Sequence, residues 1–138
     1  MSTPSKQGKL PGAKNFVTEE DINLTKAYRN ISSDASVGVD QDADTYNNRI
    51  AAKFAKLMGE SSIQERTAAV LTGRWLKNIQ KALLKFVACL NKALSEYRSG
   101  WCMEDYITFA KQFYLADVGK QFNFELCWME VKNLPKFC

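Results

Sequence analysis

Basic and hydrogen-bonding side chains recur at helical spacing in one stretch of this sequence, RTAAVLTGRWLKNIQKALLK, which runs from residue 66 to residue 85. Guanidinium and ammonium groups contact phosphates, and arginine and amide side chains also hydrogen-bond to base edges. The side chains that could contact DNA in this way are Arg66, Thr67, Arg74, Lys77, Asn78, Lys81 and Lys85. The pattern indicates a helix with one basic face suited to the major groove.

The positive charge is concentrated in the same part of the chain. Residues 46–98 carry ten basic and three acidic side chains, a net charge of +7, whereas the whole chain of 138 residues has a net charge of +4. A basic region of this kind is typical of a protein that binds a polyanion. A solvated helix face gives the same pattern, and the sequence leaves that alternative open.

The composition argues against an enzyme and against a metal site. Histidine, the commonest general base and metal ligand, is absent. The four cysteines form no CxxC pair, and without a visible secretory signal they are expected to be reduced thiols. No apolar run approaches the length of a membrane span. We therefore expect no enzyme activity, no cofactor, no metal and no membrane partner.

Three amphipathic helices are expected to position the basic face. Residues 1–15 are predicted to be a disordered basic tail, and the first helix is predicted to begin near Thr18. A loop over residues 32–44 precedes a second helix, and a long third helix extends from about Arg66 to as far as Tyr97. The inward face of that third helix would contain Leu71, Trp75, Ile79, Ala82, Phe86, Leu90 and Ala93. The predicted fold class is therefore all-α.

The last forty residues hold nine of the sixteen aromatic side chains. Their spacing predicts a fourth helix from about Met103 to Val118 and a fifth that ends before Pro135. The aromatic side chains are interpreted as core packing, with a partner-binding groove as the alternative.

Several short motifs resemble the Myb/SANT-like trihelix domains. The motifs are FVTEED from Phe16, VGVDQ from Val37, and the pairs Arg66-Thr67 and Arg74-Trp75. The likeness is strongest to the Myb-like, NAM-associated proteins related to PIF/Harbinger transposons, and it extends over roughly residues 15–137. The family's core tryptophans would correspond here to Phe16, Tyr46 and Trp75. The family also includes plant proteins with a glutathione-transferase name, but the sequence shows no thioredoxin-like βαβ pattern that would support such chemistry.

The resemblance implies a three-helix, helix-turn-helix core over residues 16–98, with residues 99–138 packed on it as a helical extension. It further implies a transposon-derived nuclear protein that binds double-stranded DNA and regulates transcription. A transposase-like or other nuclear protein is the second expected partner, recruited through the C-terminal helices. The alternative function is a helical protein–protein adaptor that has a Myb-like fold and does not bind DNA.

Overall fold

The computed structural model describes residues 15–33, 42–61 and 65–138, and every regular element in these ranges is helical. The predicted all-α class is confirmed. The α-helices are α1 (Thr18–Ser32), α2 (Ala43–Met58), α3 (Ala68–Arg74), α4 (Gln80–Leu94), α5 (Met103–Val118) and α6 (Glu125–Val131). A π-helical segment, Trp75–Ile79, joins α3 to α4, and short 3₁₀ turns occupy Gly59–Ser61 and Pro135–Phe137.

The chain divides into two compact units, an N-terminal unit of residues 1–75 and a C-terminal unit of residues 76–138. In the N-terminal unit α1 packs against α2, and α2 packs against α3; in the C-terminal unit α4 packs against α5. The predicted domain boundaries, after residues 15 and 98, and the Myb/SANT-like character of the core stay predictions. The predicted basic tail lies outside the described residues except for Asn15.

The first two helices begin close to the predicted positions. Helix α1 is capped at Val17, whose N–H donates to the Glu20 carboxylate at 3.0 Å. Helix α2 begins after Asp42, whose carboxylate accepts from the Thr45 N–H at 2.7 Å. In both cases a side-chain oxygen accepts from a backbone N–H that has no partner within the helix.

The predicted inward face of the third helix is buried throughout, although the helix is interrupted. All seven side chains of that face are at most 8% exposed. The periodicity therefore identified the buried face but not the π turn at Trp75, where the i→i−4 pattern is broken by an extra residue. Helix α4 ends at Leu94, three residues before the predicted end at Tyr97.

The core of the C-terminal unit is aromatic. The rings of Phe86 and Phe122 stack with their centroids 4.2 Å apart, and Trp128 meets Phe86 edge-on at 5.3 Å. Helices α5 and α6 match the predicted fourth and fifth helices. Helix α5 is followed by its C-cap Gly119, which takes a left-handed conformation at φ +85° and donates its N–H to the Leu115 carbonyl. That conformation is one in which a Cβ is strained.

Candidate functional site

Arg66, the first predicted DNA contact, is held inside the N-terminal unit by an acidic partner. Its guanidinium donates to both Glu20 oxygens, with Nε at 2.8 Å and Nη2 at 3.0 Å, and it also donates to the Asn15 carbonyl at 3.2 Å. Both side chains of the ion pair are only 2% exposed. This bidentate geometry uses the N–H edge of the guanidinium that would otherwise contact a phosphate or a guanine.

The electrostatics of Glu20 follow from this pairing. Burial acts to raise the pKa of the Glu20 carboxyl, but the hydrogen bonds from Arg66 and Val17, together with the positive charges of Arg66 and Arg74, hold that pKa below its ordinary value. Glu20 is therefore charged at neutral pH and pairs with Arg66 inside the N-terminal unit.

Arg74 forms a second ion pair, with Asp21, which follows Glu20 in α1. Its Nε and Nη2 donate to the two Asp21 oxygens at 2.9 Å and 2.8 Å. The ring of Phe16 lies beneath both arginines, with the guanidinium carbons of Arg66 and Arg74 at 4.0 Å and 5.1 Å from its centroid. An aromatic face adds attraction for both cations, so Phe16 stabilises the two pairs together.

The remaining predicted contacts lie at the start of α3 and along α4. Thr67 caps α3, and its hydroxyl accepts from the Val70 N–H at 3.1 Å. Lys77, Asn78, Lys81 and Lys85 are exposed. Lys85 forms an exposed ion pair with Asp117 at 3.2 Å. Of the seven predicted contacts, Arg66 and Arg74 are therefore paired with carboxylates, and the other five, including the helix cap Thr67, are exposed.

The three predicted core aromatics are brought together in part. Trp75 stacks on Tyr28 with centroids 4.2 Å apart, and Tyr46 meets the same Tyr28 ring edge-on at 6.2 Å. Burial raises the pKa of Tyr28 to about 12, even though a hydrogen bond with Thr72 acts in the opposite direction. Phe16 lies on the arginine pairs described above.

The C-terminal unit contains an open cavity of about 390 Å³, which we call the Arg98 cleft. It lies where the loop after α4 meets the N-terminal half of α5. Its lining residues are Arg98, Trp101, Asp105, Thr108, Phe109 and Gln112. This volume is in the range of small-molecule sites, and the lining combines two aromatic rings with a cation, a carboxylate, a hydroxyl and an amide.

Two aromatic rings and a tyrosine hydroxyl position Arg98. The guanidinium carbon lies 4.9 Å from the Trp101 centroid and 4.7 Å from the Phe109 centroid. The Tyr106 hydroxyl contacts the backbone of Arg98. It accepts from the backbone N–H at 2.9 Å and donates to the backbone carbonyl at 3.4 Å. A guanidinium held against aromatic rings can still use its N–H edge for a bidentate bond to a carboxylate.

Carboxylates flank the cation in this part of the structure. Asp105 lines the cleft and accepts from the Cys102 N–H through Oδ2 at 2.9 Å, which fixes it in the first turn of α5. Glu96 lies 3.5 Å from an Arg98 nitrogen, and the two side chains of that pair are about half exposed. The cleft can therefore contact a ligand with both a cationic and an anionic group.

The Arg98 cleft was not predicted from the sequence. Trp101, Asp105, Thr108 and Gln112 follow one another at spacings of four, three and four residues, which places them on one helical face. That spacing was visible in the sequence, whereas the position of Arg98 depends on the turn after α4. The core packing expected of the aromatic side chains is observed for Tyr106, Tyr114, Phe122, Trp128 and Phe137, which are buried. The partner-binding groove stays a prediction.

All four cysteines are unbridged, as predicted; Cys89 and Cys127 are buried, and Cys102 and Cys138 are exposed. Burial raises the pKa of the Cys89 thiol. Within residues 15–33, 42–61 and 65–138, no cluster of three or more potential metal ligands occurs. No helix in that described part is long and apolar enough to span a bilayer.

The chain is similar to two plant glutathione transferases. It is 29% identical over 119 residues to glutathione S-transferase T3 of Arabidopsis thaliana and 31% identical over 121 residues to glutathione S-transferase T2 of the same plant. Each match covers 86% of this chain and 20% of the relative, so the chain spans about a fifth of the length of these curated relatives. No family model and no solved structure matches the chain.

These relatives correct the functional predictions. The prediction of a DNA-binding or adaptor protein without enzyme activity is wrong, because both relatives are named as transferases. The predicted partners, double-stranded DNA and a transposase-like protein, are corrected on the same ground. The charge pattern behind these predictions counted Arg66 and Arg74 as available cations, whereas Glu20 and Asp21 pair with them. The predicted nuclear location stays a prediction.

Proposed function

We propose that the chain has a glutathione-transferase-like function and that the Arg98 cleft binds glutathione. The similarity to two named transferases over 86% of the chain supports the class of activity. The Arg98 cleft is proposed as the binding site because it has the size of a small-ligand site and because aromatic rings position its guanidinium.

The chemistry of glutathione fits the lining of the cleft. Glutathione is a short peptide with two carboxylates, one ammonium and one thiol. A carboxylate is bound well by the paired N–H groups of a guanidinium, and Arg98 is already oriented by Trp101, Phe109 and Tyr106. Orientation before binding reduces the conformational entropy that the complex must lose.

The transfer reaction requires a thiolate next to an electrophile. The thiolate sulfur attacks the electrophilic carbon, a carbon–sulfur bond forms, and the leaving group departs with its electron pair. The thiol proton goes to solvent. In this proposal Arg98 binds a carboxylate of the peptide, and Trp101 and Phe109 provide the apolar wall.

Binding of reduced glutathione tests the proposal directly. Isothermal titration and amide chemical shifts should show binding that perturbs residues 98–112, and absorbance of a chloronitrobenzene conjugate measures transfer. Arg98→Ala should weaken glutathione binding by about tenfold, the size expected for loss of one charge-assisted hydrogen-bonding group.

Lys92→Ala is the matched control for this experiment. Lys92 also lies over an aromatic ring of the C-terminal unit, 4.6 Å from the Phe113 centroid, but it does not line the cleft. The control variant should bind glutathione as the wild type does. Absence of glutathione binding, or binding that is equal in the wild type and Arg98→Ala, would contradict the proposal.

A further inference from the structure

The solvent-facing side of α4 and of the π-helical segment before it combines lysines with leucines. We infer that this side docks on a membrane surface that contains anionic phospholipids. We call it the lysine–leucine face, and it consists of Leu76, Lys77, Gln80, Lys81, Leu84 and Lys85. The inference goes beyond the proposed function, because none of these residues lines the Arg98 cleft. It also departs from the sequence-based expectation that the protein has no membrane partner.

Two adjacent rows of side chains form the lysine–leucine face. Its three lysines follow one another at intervals of four residues, and Leu76, Gln80 and Leu84 do the same one position earlier. Residues three and four apart are neighbours on a helix, so the two rows lie side by side. The opposite side of the helix belongs to the core, where Leu83 and Phe86 are 0% exposed. Core packing therefore holds the helix in place and leaves both rows at the surface.

The charge of the lysine–leucine face is complementary to anionic headgroups. Residues 76–95 contain four lysines and no aspartate or glutamate. Lys136, from the 3₁₀ turn after α6, adds a further ammonium group, which donates to the Gln80 side chain at 2.8 Å. Asp117 of α5 pairs with Lys85 at 3.2 Å, but both side chains are about half exposed, and an exposed pair of this kind is weak. The face therefore presents positive charge to solvent, which lipid phosphate groups attract.

The two leucines favour a lipid surface over a soluble polyanion. Leu76 is 51% exposed and Leu84 is 38% exposed, although the other apolar side of the helix is buried in the core. A soluble polyanion offers phosphate or sulfate groups but no apolar phase for these side chains. A membrane surface offers both, because lysine ammonium groups stay among the headgroups while apolar side chains enter the boundary of the acyl chains. A contact of this peripheral kind needs no membrane-spanning helix.

Vesicle sedimentation with the full chain tests the inference. Wild-type protein should bind vesicles of phosphatidylcholine with about one third phosphatidylserine, and added salt should weaken this binding. Lys77→Gln/Lys81→Gln should lower the vesicle affinity by about 25-fold, since each lysine near an anionic surface contributes about fivefold. Leu76→Ser/Leu84→Ser should lower the vesicle affinity by about tenfold, because less apolar surface enters the membrane. The leucine variant should still bind heparin, a soluble polyanion, as tightly as the wild type does.

Lys111→Gln/Lys120→Gln is the matched control, because it removes two positive charges from outside the lysine–leucine face. This control should bind the anionic vesicles within about twofold of the wild type. The inference is overturned if the wild type does not bind anionic vesicles, if it binds vesicles of phosphatidylcholine alone equally well, or if the control loses as much affinity as Lys77→Gln/Lys81→Gln. Vesicle binding that survives the leucine substitutions in full would show a site for any polyanion, and it would also overturn lipid as the partner.

Discussion

Replacing Arg66 by methionine isolates the ion pair that connects the first turn of α1 to the start of α3. The substitution leaves the Glu20 carboxylate buried, with the Val17 N–H as a remaining donor at 3.0 Å. Removal of one partner from a buried ion pair typically costs about 3–5 kcal/mol, because the other charge stays in a low-dielectric environment. The retained Val17 bond places the expected loss in the free energy of unfolding near the lower limit, at about 3 kcal/mol.

Urea titration followed by far-ultraviolet circular dichroism measures this loss. Lys111→Met is the matched control, because Lys111 pairs with Glu125 on the surface, where both side chains are about 40% exposed. An exposed pair of this kind should contribute less than about 1 kcal/mol. The double variant Glu20→Met/Arg66→Met should be more stable than Arg66→Met alone, because it removes the unpaired charge.

The reasoning is refuted if Arg66→Met loses no more stability than Lys111→Met. That result would mean that solvent reaches Glu20 when its partner is removed. The ion pair would then contribute no more to the free energy of unfolding than an exposed pair does. A double variant that is less stable than the single one would instead show that the polar contacts themselves, and not the unpaired carboxylate, account for the cost.

Three further predictions concern acid stability and the glycines at positions 73 and 119. Because pairing lowers the pKa of Glu20 from its ordinary value of 4.5, the stabilisation is present above that pH and is lost as the pH falls through the lowered pKa; urea midpoints below pH 4.5 should therefore fall less steeply in Glu20→Gln than in the wild type. Gly119→Ala should destabilise the protein by about 1–2 kcal/mol, because residue 119 is at φ +85°. Gly73→Ala should instead stabilise it by about 0.5–1 kcal/mol in the same thermal or urea assay, since Gly73 lies inside α3 with open space around its Cβ position; the opposite sign at either glycine would contradict the backbone assignments.

Helix existence and buried faces were predictable because they depend on local periodicity. The face from Leu71 to Ala93 is buried as its spacing indicated, and the bounds of α5 agree with those predicted. The π turn at Trp75 was not predictable in this way, because one extra residue in a turn leaves the 3.6-residue pattern on each side intact.

The ionic contacts were not predictable, because they join residues far apart in the chain. The carboxylates of Glu20 and Asp21 receive guanidinium groups from residues 46 and 53 positions later in the chain. Net charge by segment cannot show which cations are already paired. The Arg98 cleft escaped prediction for a related reason: one of its residues comes from an irregular turn, for which sequence spacing gives no geometry.

The two arginine–carboxylate pairs of the N-terminal unit also have a consequence for the kinetics of folding. Contacts within a helix, or between the adjacent ends of α1 and α2 such as Ser32 and Tyr46, close shorter loops, whereas these pairs close loops of 46 and 53 residues. Closing a longer loop has a larger entropic cost, and helical proteins otherwise fold quickly through local contacts. The pairs should therefore form after the barrier, where they slow the escape from the native state more than they speed its formation. Their main effect would then be on the lifetime of the folded N-terminal unit.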